Sequence, residues 1–187
     1  MNDWKPCPGC GLEMPQDRNS ALPRKIVASA ACWRVYNEVS SFALIHPPLD
    51  RWNQLSADAY GAQPSRADDT DPKPVRLVYS LVGLYLALEH GCSGEDVRAA
   101  HRMLGRPDPS WPSLSGPATS IGMTVMDVAE RGLMRESLTG HAGALHEWVE
   151  SVWSAWDSRH AAIAELSRRG LPDFLSNPVR RCWGYRL

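Results

Sequence analysis

Cys7 and Cys10 bracket Pro8 and Gly9 in the run CPGCG, residues 7 to 11. A Cys-x-x-Cys turn carrying proline and glycine brings two thiolates to one side of the chain and leaves its backbone amides able to donate to the sulfurs. That chemistry suits a thiophilic metal, Zn2+ above all. A redox dithiol of the same spacing normally belongs to a βαβ setting, and no such pattern surrounds these residues. Cys32 falls on the inward face of the helix expected next and is the natural third ligand, although a free cysteine there also serves as a small buried hydrophobe. Cys92 and Cys182 stand alone, so no second Cys-x-x-Cys pair follows. The fourth position is left to an isolated side chain or a water. His160, beside Trp153 and Trp156, is the preferred candidate, with Cys182 and His46 as rivals. Four protein ligands would make a closed structural site and three plus a water an open site of the catalytic kind, and the spacing leaves both open.

A second group of useful side chains lies in DAYGAQ, residues 58 to 63. On a helix positions 60 and 63 share a face and 58 lies off it. If a zinc-bound water were present, Asp58, Tyr60 or His141 would be the acid–base candidates, with Gln63, Trp153 and Trp156 lining a pocket. The plainer reading of the same residues is capping and packing, because polar residues open helices and large aromatics on a core-facing helix fill space. The run NPVRRCWGYRL interleaves Arg180, Arg181 and Arg186 with Trp183 and Tyr185, a mixture able to hold a nucleic-acid strand. A formal net charge of −1, from 20 basic and 21 acidic residues, disfavours that partner. No Gly-rich phosphate loop, Gly-x-Ser-x-Gly elbow or His-Glu-x-x-His helix occurs, which disfavours standard nucleotide enzymes and hydrolases.

These residues need elements to hold them. The chain has 187 residues and is 43% hydrophobic, enough for one substantial core with a small metal-stapled lobe. Residues 1 to 24 read as irregular. Ala28, Cys32, Val35, Val39 and Phe42 recur at helical spacing within a helix over 27–44, which HPP at 46 to 48 stops. A short helix is expected over 56–63 with Ser56 as its cap, then a polar loop over 64–74. VRLVYSLVGLYLALEHG, residues 75 to 91, is apolar on every face, as a wholly buried helix is, and ends at Gly91. Ser93 opens a helix to about Leu104, Pro107, Pro109, Pro112 and Pro117 hold an extended segment, and Thr124 caps a short helix ending before Gly132. One long helix is expected from about Gly140 to Arg169, on which His141 and His160 would stand about 28 Å apart and so could not share a metal. The fold class is mainly α, a single-domain helical bundle over residues 1–187 with residues 1–24 as a zinc-knuckle lobe.

In order along the chain, CPGCGLEMP at 7 to 15, ACW at 31 to 33, DAYGAQ at 58 to 63 and HEWVESVWSAWDSRH at 146 to 160 resemble an uncharacterised bacterial family, a domain of unknown function. The resemblance covers most of the chain and implies that Cys7, Cys10 and Cys32 act together. In that family a histidine commonly precedes the Asp-Ala-Tyr segment by five residues and another follows the glutamine. Asn53 and Pro64 stand there instead, which marks a divergent member.

The expectation is a cytoplasmic protein, monomeric or homodimeric, with no signal peptide and no membrane span. Its Zn2+ would be structural, and it would act as a module binding a small molecule or a protein. A zinc-dependent enzyme acting on a small metabolite through an open coordination position is the alternative. Nucleic-acid binding through the zinc lobe and basic tail ranks third.

Overall fold

A computed structural model describes residues 4–15, 22, 27–63, 75–105, 111, 114, 121–133 and 137–176. The lobe expected to be irregular contains a small antiparallel hairpin, β1 (Trp4–Pro6) with β2 (Glu13–Pro15), in which Lys5 pairs with Met14. The cysteine turn closes it. Cys7 N–H donates to Leu12 O and Gly11 N–H to Cys7 O, both at 2.8 Å, and Gly11 takes a φ of +77° that a side chain would strain. Strand propensity over three residues is too short a signal to read in advance.

Helix α1 (Ala30–Ile45) starts later than its apolar spacing suggested, because the Ser29 hydroxyl accepts Cys32 N–H at 3.1 Å and sets the cap there. Cys32, Tyr36, Val39 and Ala43 form its buried stripe, while Val35 and Phe42 are half-buried. Pro47–Leu49 makes one 3-10 turn into α2 (Asp50–Ala62). The expected cap at Ser56 is therefore wrong. Ser56 is buried in mid-helix with its hydroxyl donating to Asn53 O at 2.9 Å, because Trp52, Leu55, Ala59 and Ala62 extend the apolar face upstream.

Helix α3 (Val75–Leu88) is buried on nearly every side, as its composition predicts. Gly91, at φ +64°, lets Cys92 N–H turn back to Leu86 O at 3.0 Å, the left-handed closure expected there. Helix α4 (Gly94–Leu104) opens on a reciprocal cap between Ser93 and Asp96, and α5 (Val125–Val128) on the same arrangement between Thr124 and Asp127. Beyond α5 the chain does not stop before Gly132 but continues as a π-turn, Ala129–Leu133. Gly132 lies against the His141 ring, where a Cβ would collide with the imidazole.

The long C-terminal helix is broken. Helix α6 (Leu138–Ala155) gives way to a 3-10 turn, Asp157–Arg159, before α7 (His160–Gly170) and the short α8 (Pro172–Ser176). The Trp153 carbonyl accepts Trp156 N–H and the His160 ring, both at 3.0 Å, so it leaves the helical ladder. The Trp156 indole is meanwhile drawn to Ala62 O at 2.9 Å. The continuous stripe misses this because apolar spacing survives a one-turn kink.

The described residues form a mainly α bundle. α2 sits at its centre, packed against α1, α3, α4 and α6, with α7 laid on α3. Trp52, Trp148 and Trp156 are each at most 1% exposed and fill the middle. Among the described residues no helix is long and apolar enough to cross a membrane.

Candidate metal centre

The hairpin turn and the first turn of α1 bring three sulfurs together: Sγ of Cys7, Cys10 and Cys32 all lie within 4.8 Å of one another. Cys7 comes from the tight β1–β2 turn and Cys32 from the buried face of α1, so the cluster joins the N-terminal hairpin to the helical body. Cys7 is 1% exposed and Cys32 fully buried, whereas Cys10 is half-buried. Gly9 and Ser29 donate backbone N–H groups to Cys7 Sγ at 3.4 and 3.2 Å, the kind of donor that steadies a thiolate. Gly9 is required here, because a Cβ on it would stand 2.8 Å from Val27 O, closing the approach of turn to helix.

Hydrogen bonds from the Cys10 and Cys32 thiols, joined by Ser29, hold the Cys7 thiol far below its ordinary range. The Cys32 proton is correspondingly held, by its hydrogen bonds to Cys10 and Cys7 and by burial, and its pKa is raised. Cys7 is thus the most acidic of the three thiols. The donor set fits a thiophilic divalent cation: a Zn–S distance of about 2.3 Å in tetrahedral geometry needs sulfurs about 3.8 Å apart, so small movements would seat an ion. No other cluster of three ligand-type side chains of this kind occurs among the described residues.

The structure treats the remaining candidates differently. His160 is not brought to the sulfurs: its ring stacks on Trp153 with centroids 3.7 Å apart, and its Nε2 is bonded to Trp153 O. His46 turns its Nδ1 to Phe42 O at 2.7 Å. Cys182 and the arginine-rich run lie outside the described residues, as do the loop over 64–74 and Pro107, Pro109, Pro112 and Pro117.

Tyr60 does reach the cluster. Its hydroxyl donates to Cys32 Sγ at 3.6 Å, and its ring stacks on Tyr36 at 4.1 Å. Burial pushes the Tyr60 hydroxyl pKa up, which keeps it a donor. Asp58 does not cap a surface turn but lies buried within α2. It is 3% exposed, accepts Gln54 Nε2 at 3.1 Å, and is packed where a Cβ on Gly83 of α3 would strike its carboxyl. Desolvation raises its pKa well above the usual carboxylate range.

Of the residues expected to line a pocket, Gln63 and Trp156 are buried, with Gln63 Nε2 unpaired among the described residues, while Trp153 reaches the exposed Glu89. Gln63 Oε1 accepts Trp148 Nε1 at 2.9 Å and Val125 N–H at 3.2 Å, Trp153 Nε1 donates to Glu89 at 2.9 Å, and Trp156 is bound to Ala62 O. His141 is fully buried against Phe42, with neither ring nitrogen hydrogen-bonded among the described residues. Sequence reasoning missed Ser29, whose position three residues before Cys32 is a capping signature, and Gly83, for which no local signal exists.

A tri-cysteine cluster that could hold a metal ion joins a short hairpin to a helical bundle. The pattern of a family of unknown function (DUF5946) matches residues 5–157, and the chain belongs to that family. No curated protein and no solved structure matches the chain.

Proposed function

We propose that this chain is a zinc-binding helical protein whose Zn2+, held by Cys7, Cys10 and Cys32, is structural. The protein works as a module that binds a small molecule or a protein, as a monomer or homodimer. The observation that carries the proposal is the placement of the sulfurs, two on the hairpin turn and one on α1, all within 4.8 Å. A metal there ties residues 4–15 to the body, which the three-residue strands alone would hold weakly. Free thiols need a reducing compartment, so the cytoplasm is the proposed setting. A binding module is preferred to an enzyme because Asp58, the acid–base candidate of an open site, is buried and held by Gln54.

The second reading, a zinc-dependent enzyme acting on a small metabolite, draws on one observation: among the described residues the cluster has three members, leaving room for a water. Absorption spectra of the cobalt-substituted protein separate the two. Bands unmoved by added anions or small ligands support the structural reading, and bands that shift support the open site.

The primary test is metal content with limited proteolysis. One Zn2+ per chain is expected, lost in Cys7→Ser and kept in Cys92→Ala, since Cys92 is buried outside the cluster. Chelation should open the hairpin to protease. At free Zn2+ roughly 1,000 times Kd the metal stabilises the fold by about 4 kcal/mol, and removing it should lower stability accordingly. Unchanged protease resistance after chelation sinks the structural role.

A further inference from the structure

The three sulfurs are not equally served by hydrogen-bond donors. Cys7 Sγ receives the backbone amides of Gly9 and Ser29, with that of Cys10 also turned to it, and Cys10 Sγ receives that of Leu12. Cys32 sits in the first turn of α1, where its own N–H is given to the Ser29 hydroxyl and the amides that follow are committed to the helical ladder. A helix-borne sulfur therefore has no turn amides to draw on. It is also fully buried, where an undonated thiolate is costly.

One side chain supplies what the backbone withholds. The Tyr60 hydroxyl comes from α2, a different helix, and reaches Cys32 Sγ at 3.6 Å. Its ring is clamped by two aromatics of α1, Tyr36 with centroids 4.1 Å away and an interplanar angle of 17°, and Trp33 at 5.8 Å. Trp33 and Tyr36 also stack on each other at 5.4 Å. The helix that presents the sulfur thus presents the two rings that aim its donor. Tyr60 is 6% exposed, so water does not compete for the hydroxyl.

We propose that Tyr60 is a positioning residue of the metal centre: its hydroxyl donates to the Cys32 thiolate when metal is bound, sets the affinity of the site, and ties α2 to the metal. The proposal rests on the reading that Cys7, Cys10 and Cys32 hold a thiophilic cation. Tyr60 acts through Cys32 and binds no metal itself. The same hydrogen bond couples the hairpin–α1 unit to α2, the helix at the centre of the bundle.

The test compares the full-length wild type with Tyr60→Phe, each loaded with Co2+ and titrated against a chelator. Tyr60→Phe keeps the aromatic stack and removes only the donor. One cobalt per chain is expected in both, with affinity weakened roughly 10- to 100-fold in the variant, the usual cost of losing such a partner. Its sulfur-to-cobalt charge-transfer band should move to lower energy, because a thiolate without its donor is easier to oxidise. Tyr36→Phe, whose hydroxyl is hydrogen-bonded to Ser40, should leave the band in place. Wild-type protein loaded with cadmium-113 provides a reading that needs no variant: a protected tyrosine hydroxyl proton coupled to the metal through Cys32. An unchanged affinity and band in a folded Tyr60→Phe overturn the proposal, as does absence of that coupled proton. Failure of the wild type to bind any thiophilic cation overturns the metal reading as well, which distinguishes the two failures.

Discussion

The indole Nε1–H of Trp148 donates to Oε1 of Gln63 at 2.9 Å, joining α6 to the end of α2 across 85 positions of the chain. The same oxygen takes Val125 N–H at 3.2 Å, so one buried acceptor satisfies donors from two other elements. Gln63 is the junction of α2, α5 and α6.

Gln63→Ala should accordingly strand two buried donors. At about 1–3 kcal/mol for each buried group left unpaired, the loss should be about 2–6 kcal/mol in all. Urea denaturation followed by tryptophan fluorescence reads it as a lower midpoint with an unchanged slope. A loss under about 0.5 kcal/mol would show that water replaces both bonds.

His141 should make the protein acid-sensitive. Its desolvation, with the charge of nearby His46 adding to it, pushes its pKa from 6.5 down to about 4. The folded state therefore refuses a proton that the unfolded state takes, and stability falls as pH drops from 6.5 towards 4. The span corresponds to roughly 3 kcal/mol. His141→Leu should flatten that limb of the stability–pH curve, measured by denaturation at successive pH values. An equally steep limb in the variant would assign the sensitivity elsewhere.

Asp58 should act with the opposite sign. Burial first, opposed by Gln54 and Arg76, raises its folded-state pKa well above 3.8. The folded carboxyl keeps its proton where the unfolded one has released it, so its contribution is full below 3.8 and declines as pH rises. Asp58→Asn keeps the shape and an acceptor for Gln54 without the ionisation. It should be more stable than wild type at pH 7 and lose that advantage near pH 3. A variant less stable at both pH values would mean that the carboxyl itself is needed.

Much of this protein was legible in its sequence. The CPGCG turn announced a metal-type pair because proline and glycine restrict the local backbone to a geometry that faces two sulfurs together. The all-apolar run of α3, its closure at Gly91, and the caps at Ser93 and Thr124 were equally plain, since each depends on side chains within a few residues of the backbone they serve. The mainly α class followed from helical spacing for the same reason.

What only the tertiary structure decided are the relationships between distant segments. Spacing placed Cys32 on an inward face, but the approach of the hairpin to α1 brought its sulfur to Cys7 and Cys10. The end of α6 looked continuous with α7 until competing bonds from Trp156 and His160 took the Trp153 carbonyl out of the ladder. Asp58, Gln63 and Tyr60 shared one short motif, yet burial sent them to three different partners: Gln54, the Trp148–Val125 pair and Cys32. Local sequence determines backbone geometry because its forces act over one turn of chain. Which polar atom meets which is settled by packing, where every buried donor and acceptor must find its partner across the core.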